Sequence, residues 1–418
     1  MYLRFKISIC LIVPVIVNSV NITSLGSFKV SNAAFVTLYE NPNGADPKNK
    51  YDFVVSAFSA IPFATDTVQL VKGVGQYMSS VSGIKPEILT TQATWPNEAA
   101  GVPDAVFGKR MVIVPYGFIL PFKTNGGLKL IDVSSDTPAG PYTITDDSTG
   151  QWFYHRVRWH DMDEDGDLDA VTCHAREPIF GSKASELLWL ENPNGDVTFP
   201  WKTHVLGEGP DIFFEYTTLN STDGPLNCIV VAQFFTKALS VYWTTDSKGL
   251  WSNTSAVKSR VIDATIGAVF EVKLDDVNND GKVDLLVTNN GNNGSVFVYE
   301  IPDDFRTGQF IRHVIGTGYM PISTGNGKGA PGSSFTARVS NDTKPVIILS
   351  GDDNGSAYIL TAKSQDKTNW DYTQTTVVTT GGETVGQLAC ADVDGDGKLE
   401  LFVPSYSTSV VYVYRLDM

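Results

Sequence analysis

Residues 161–173 read Asp161-MDEDGDLDAVTC, and the last five of them, Asp169-AVTC, decide the fold because the chain repeats them. A small or polar residue followed by three or four β-branched or apolar residues returns as Asp52-FVVS, Arg110-MVIVP, Asn227-CIVVA, Asp284-LLVT, Pro345-VIILS and Glu400-LFVP. The starts at 52, 110, 169, 227, 284, 345 and 400 leave intervals of 58, 59, 58, 57, 61 and 55. So even a period marks stacked or radial units. Each unit holds three more strand-like stretches. An alternating one follows (Glu186-LLWLENPNG, Ser295-VFVYEIPDD, Val410-VYVYRLDM), then a third (Trp201-KTHVLG, Phe310-IRHVIG). A fourth precedes the next unit (Phe153-YHRVRWHD, Val269-FEVKLDD). No segment keeps a helical period. The expectation is an all-β chain: a seven-bladed β-propeller with four antiparallel strands per blade, six or eight blades being the alternative counts. The repeat stops after the second strand type of unit seven. The N-terminal segment Leu25–Tyr39 is therefore expected to supply the missing part of the last blade, which also hides the sheet edges.

The first nine residues of the opening stretch recur as well. Asp161-MDEDGDLD, Asp276-VNNDGKVD and Asp392-VDGDGKLE stand just before the recurring strand in units three, five and seven. Oxygen-bearing side chains fall at positions 1, 3, 5 and 9, with a glycine at 6. The candidate ligands are Asp161, Asp163, Asp165 and Asp169; Asp276, Asn278, Asp280 and Asp284; Asp392, Asp394, Asp396 and Glu400. Calcium takes six to eight such oxygens at 2.3–2.6 Å, and position 7 can offer a backbone carbonyl. An EF-hand would need Glu at position 12 between helices, but position 12 is Thr172, Val287 or Val403 inside an apolar strand. Calcium is the expected cofactor, in a structural role, with no organic cofactor. The alternative is a set of Asp/Gly turns that hold only water. The degenerate loops Asn220-STDGPLN and Ser340-NDTKP lack the full set.

Composition agrees with a folded, extracytoplasmic chain. Of 418 residues 42% are hydrophobic and only 18% charged, and the net charge is -15. That charge disfavours nucleic acid as a partner. Arg4 and Lys6, the apolar run Ile7–Val17 and the small-residue site Val17-Asn18-Ser19 read as a signal peptide over residues 1–19, with an uncleaved anchor as the alternative. Residues 20–418 then form a single propeller in the secretory lumen or outside the cell, with no membrane span. Sequons at Asn21, Asn220, Asn253, Asn293, Asn341 and Asn354 suit that compartment and make the chain a candidate glycoprotein. Cys173, Cys228 and Cys390 are too few for a disulfide framework and read as core fillers.

The acidic loops occupy one face of the disc, so a ligand is expected on the other. The loops of that face carry many rings, among them Phe58, Phe63, Phe118 and Phe180, and also the Asp352-DN turn and the Gly-rich Gly325-NGKGAPGSS. Candidate substrate-binding residues are Tyr116, Trp152, Tyr154, Phe213, Phe214, Gln233, Phe234 and Phe235; packing between blades is the alternative role for about half the rings. The densest polar group gives the candidate catalytic residues: His174 or Glu177 as proton donor, Arg176 holding an oxyanion, and His155 nearby. An apolar bowl with a few converging polar groups suits a small apolar molecule. No catalytic triad spacing, phosphate loop, nucleotide fingerprint or zinc signature is present.

The acidic loops resemble those of FG-GAP/VCBS-type repeats, which implies a calcium-binding propeller over nearly the whole mature chain. Two families of secreted propeller enzymes are also similar in organisation. The fungal hetero-Diels–Alderases of tropolone–sesquiterpenoid biosynthesis match in length, leader and one-domain layout. That resemblance implies a carbon–oxygen lyase of secondary metabolism that dehydrates an apolar precursor to a quinone methide and directs its cyclisation. The aldos-2-ulose dehydratases imply sugar dehydration instead. A non-enzymatic adhesion or matrix module with a protein partner is the remaining expectation.

Overall fold

The computed structural model describes residues 20–42, 44–146, 150–177, 182–325, 327–338 and 340–418. The expected leader and Phe180 lie outside them. The described strands form seven antiparallel sheets of four. In blade 3 the spatial order from the axis outward is Phe153–His160, Asp169–Arg176, Ala184–Glu191 and Lys202–Glu208. All seven recurring segments form the second strand of their blade, so the period in the sequence is the period of the ring. The blade 7 sheet contains Ala389–Ala391, Leu399–Ser405 and Val410–Asp417, and its outermost strand is Asn21–Lys29, with Asn21 opposite Asp417. The chain turns at Asn32 (φ 52°), whose N–H donates to Ser409 Oγ at 3.0 Å, and continues as Ala33–Glu40, the innermost strand of blade 1. The N-terminal segment thus closes the ring with one strand and opens the next blade with the other.

Alternation along the strands builds the core between neighbouring sheets. Between blades 3 and 4 it contains Cys173, Trp189, Phe214, Ile229 and Trp251, all fully buried. The described cysteines are free, and burial pushes the Cys228 thiol up to about 12. The axis is polar. Arg156, from the innermost strand of blade 3, donates to Glu98 at 2.7 Å and Glu271 at 2.8 Å, and reaches Glu215 at 3.2 Å. Arg158 and Lys273 add bonds to Glu215. Three cations and three carboxylates from blades 2 to 5 thus meet near the axis. No described helix is long and apolar enough to cross a membrane.

Candidate functional site

The three acidic loops share one backbone. Their glycines at position 6 (Gly166, Gly281, Gly397) have φ of 98°, 91° and 83°, and position 4 is also left-handed in each. The first carboxylate of each loop accepts the N–H groups of positions 5 and 6: Asp276 takes those of Asp280 and Gly281 at 2.9 and 2.8 Å. This folds the alternate side chains toward one point. Asp161, Asp163 and Asp169 bring carboxylate oxygens within 4.8 Å of one another. Burial lifts the inner Asp169 to about 7, and Asp284 likewise. Asp163 Oδ1 is buried without a hydrogen-bond partner among the described residues. An unpaired buried oxygen in a nest of carboxylates fits a hard cation. Asp392, Asp394 and Glu400 make a similar cluster in blade 7, but Arg415 bonds to it: Nη2 to Asp394 at 2.6 Å and Nε to Glu400 at 2.8 Å.

On the opposite face a cavity of about 520 Å³ opens among blades 1, 2, 5, 6 and 7. One wall is aromatic. Phe58 stacks on Trp95 at 4.0 Å, Trp95 on Phe118 at 4.6 Å, and Tyr406 packs on Phe58 at 5.6 Å. Phe35 and Phe270, from innermost strands, complete it. A buried ion pair fixes this wall from behind. Lys123 bonds to Asp66 at 2.6 Å, and the other bonds to Asp66 come from the backbone N–H groups of Ser59 and Trp95.

The facing wall is polar and belongs to blade 6. Asp352 lies at φ 51°, a left-handed position that Asp tolerates better than most residues. Its Oδ2 accepts from Asn290 Nδ2 at 2.9 Å, and its Oδ1 has no partner among the described residues. Burial, then the neighbouring Asp353 carboxylate, pushes Asp352 well above the usual carboxylate range. Asp353 itself accepts from Lys328 Nζ at 2.9 Å, Gly329 N at 3.2 Å and Thr384 Oγ1 at 2.7 Å. The cavity therefore brings one carboxyl held above the usual carboxylate range and one paired carboxylate together with a stacked aromatic wall. That arrangement can deliver a proton to an apolar molecule held flat on the rings.

The residues singled out from the sequence lie elsewhere on this face. His174 is buried. Its Nδ1 meets the Tyr154 hydroxyl at 3.1 Å, its Nε2 meets Glu186 at 2.9 Å, and Trp152 stacks on it at 3.7 Å. Arg176 lies over the Trp152 ring at 4.5 Å, and Glu177 pairs with Lys183. Arg176 and Glu177, with Phe235 and Glu186, line a second opening of about 520 Å³ at the rim of blades 3 and 4. His174 is held below its ordinary value chiefly by burial. His155 packs against Phe35 and Phe213, at 5.4 and 4.9 Å, with Nδ1 unpaired, and burial lowers it to about 3. Phe213 lies under Arg156 at 4.1 Å, Phe214 is in the blade 3–4 core, and Tyr116 packs between blades 1 and 2. The N–H groups of Phe234 and Phe235 cap buried Asp211, and Gln233 bonds to Thr236 and Ser240. So the structure brings His174, Arg176, Trp152 and Tyr154 together and keeps Phe213, Phe214 and Tyr116 apart from them. Sequence reasoning missed the weight of Asp352, Asp353 and Lys328. Their signal was two adjacent acids in a turn on the ligand-facing side.

Five sequon asparagines, at 21, 220, 253, 293 and 341, are exposed. Asn354 is half-buried and holds the Met320 carbonyl and the Tyr358 hydroxyl.

No protein-family model matches the chain, and no curated protein matches it. Solved structures do. The chain is similar to a Kuenenia stuttgartiensis hydrazine synthase structure, with a TM-score of 0.50 and 12% identity, over 92% of this chain and 96% of that one. The Dos1 propeller aligns with a TM-score of 0.49 and 8% identity, over 94% and 95% of the two chains. At such identities the likeness is one of fold alone.

Proposed function

We propose that this propeller is a calcium-stabilised enzyme of the secretory pathway that dehydrates a small apolar natural-product precursor and steers the reactive product into a hetero-Diels–Alder ring closure. The observation that carries the reading is the cavity that Asp352 lines together with the Phe58–Trp95–Phe118 stack. A protonated Asp352 gives its proton to the leaving hydroxyl of a hydroxymethyl group. The carbon–oxygen bond breaks and water departs. The Asp352 carboxylate then takes the proton of the substrate's ring hydroxyl, which leaves a neutral quinone methide and restores the acid. Proton transfer of this kind contributes about 10²–10⁴-fold. The aromatic wall holds the planar intermediate and its alkene partner face to face, which lowers the entropic part of the second barrier. The loops of blades 3 and 5 hold calcium on the opposite face, away from the chemistry. The exposed sequons support passage through the secretory pathway.

The experiment compares Asp352→Asn with His174→Ala and Glu177→Gln on a hydroxymethyl-tropolone and a terpene alkene. Loss of turnover in Asp352→Asn alone, with an unchanged melting curve, supports the cavity as the site. Loss only in the other two moves the chemistry to the rim of blade 3. Dehydration of a keto-sugar by the wild type would replace the substrate class.

A further inference from the structure

We infer that the blade 7 loop carries its own cation, Arg415, at the place where its sister loops take a metal ion, so that the chain binds two calcium ions and not three. The inference rests on the calcium reading of blades 3 and 5. Arg415 lies on Val410–Asp417, directly opposite Glu400 in the register. Its guanidinium reaches Glu400 Oε1 at 2.8 Å, Asp394 Oδ2 at 2.6 Å and Asp396 Oδ2 at 3.3 Å. Those are three of the four carboxylates in the loop. A calcium ion would need the same oxygens turned to a single point. It would also stand within a few Å of a group that never loses its charge in a protein.

The same register position has the opposite sign in the sister blades. Glu300 faces Asp284 in blade 5, and Glu191 holds the corresponding place in blade 3. Each is tied to a histidine of the outermost strand, Glu300 to His313 at 2.6 Å and Glu191 to His204 at 2.7 Å. Among the described residues no Lys or Arg forms an ion pair with the carboxylates of Asp161, Asp163, Asp165 and Asp169, or of Asp276, Asp280 and Asp284; at the blade 5 loop Arg338 bonds to the Asp276 carbonyl at 3.0 Å and pairs with Asp275, outside the ligand set. Their negative charge is left for an ion from solution. Blades 1 and 4 follow the pattern of blade 7. Arg110 bonds to Asp52 of blade 1 at 2.9 Å, and Arg306 of blade 5 to Asp223 in the loop of blade 4 at 2.7 Å. A side-chain cation at this face and a metal ion are thus two solutions to one problem, and blade 7 has the first.

The test counts calcium by elemental analysis after chelation and dialysis against excess calcium chloride. Wild type and Asp394→Ala are each expected to retain two ions per chain, and Asp163→Ala one. Arg415→Ala, if folded, is expected to gain a third. Three ions in the wild type, or a loss of one in Asp394→Ala, overturns the inference and leaves the calcium reading standing. No retained calcium in the wild type overturns both.

Discussion

Asp352 combines a left-handed backbone, a single hydrogen bond to its carboxylate and a place in a cavity wall. Held above the ordinary range, it keeps its proton at a pH where most carboxyls are ionised. A group that acts as the acid loses function as pH rises through its folded value. Turnover is therefore expected to fall on the alkaline side, and Asp352→Asn to lower kcat by about 10²–10⁴-fold with the fold intact. A pH–rate profile and a melting curve check both parts. His155 shows the converse sign. Its folded value is depressed to about 3, so the unfolded chain takes up a proton near 6.5 that the native state refuses. Stability linked to His155 is complete above pH 6.5 and is lost as pH falls toward 3. His155→Phe should remove that loss. The stability difference between variant and wild type, measured by urea unfolding at pH 7.5 and at pH 5, is expected to shift toward the variant by about 2 kcal/mol at the lower pH, one pKa unit being worth 1.36 kcal/mol.

At the scale of elements, the legible features were the local ones. The second strands are visible because every blade must bury the same short apolar run on both faces. The acidic loops are visible because all their candidate ligands lie within nine residues. Removing one such loop's charge has a direct consequence: Asp169→Ala should lower the melting temperature in calcium-containing buffer more than in chelator, read by scanning calorimetry. The candidate cavity was not legible to the same degree, because its walls come from opposite parts of the chain. Phe58 and Asp352 come to line one cavity only after the ring has closed. Aromatic residues also carry no label for their role. Phe213 and Phe214 are neighbours on one strand and point to opposite faces, one toward the axis under Arg156 and one into the blade 3–4 core. Counting rings favoured blades 1 to 4, and the polar cluster drew the site to blade 3, where many of the rings are packing. The loops of blades 1 and 2 have fewer rings, yet Phe58, Trp95 and Phe118 form the stack.

The whole molecule is held by its axis and its seam. Arg156 is almost fully buried between Glu98 and Glu271, and it draws Glu98 down to about 2. Removing one partner of a buried network leaves the others uncompensated. Arg156→Met should cost about 3–5 kcal/mol by urea unfolding. Chelation should lower the melting temperature on the order of 5 °C, since each ion bound at 100 times its Kd adds about 2.7 kcal/mol to the native state. The seam sets a clock on biosynthesis. Asn21–Lys29 is made long before its sheet partner among the described residues, Val410–Asp417, which lies about 380 positions further along the chain. At about 5–20 residues per second the first strand waits roughly 20–80 s for its mate. A greasy strand left idle that long would invite aggregation. This one reads NITSLGSFK, with one residue buried and four exposed even when paired, and an N-x-Thr sequon at its tip. Its polarity lets the earliest-made part of the ring remain in solution until the last-made part arrives to latch it.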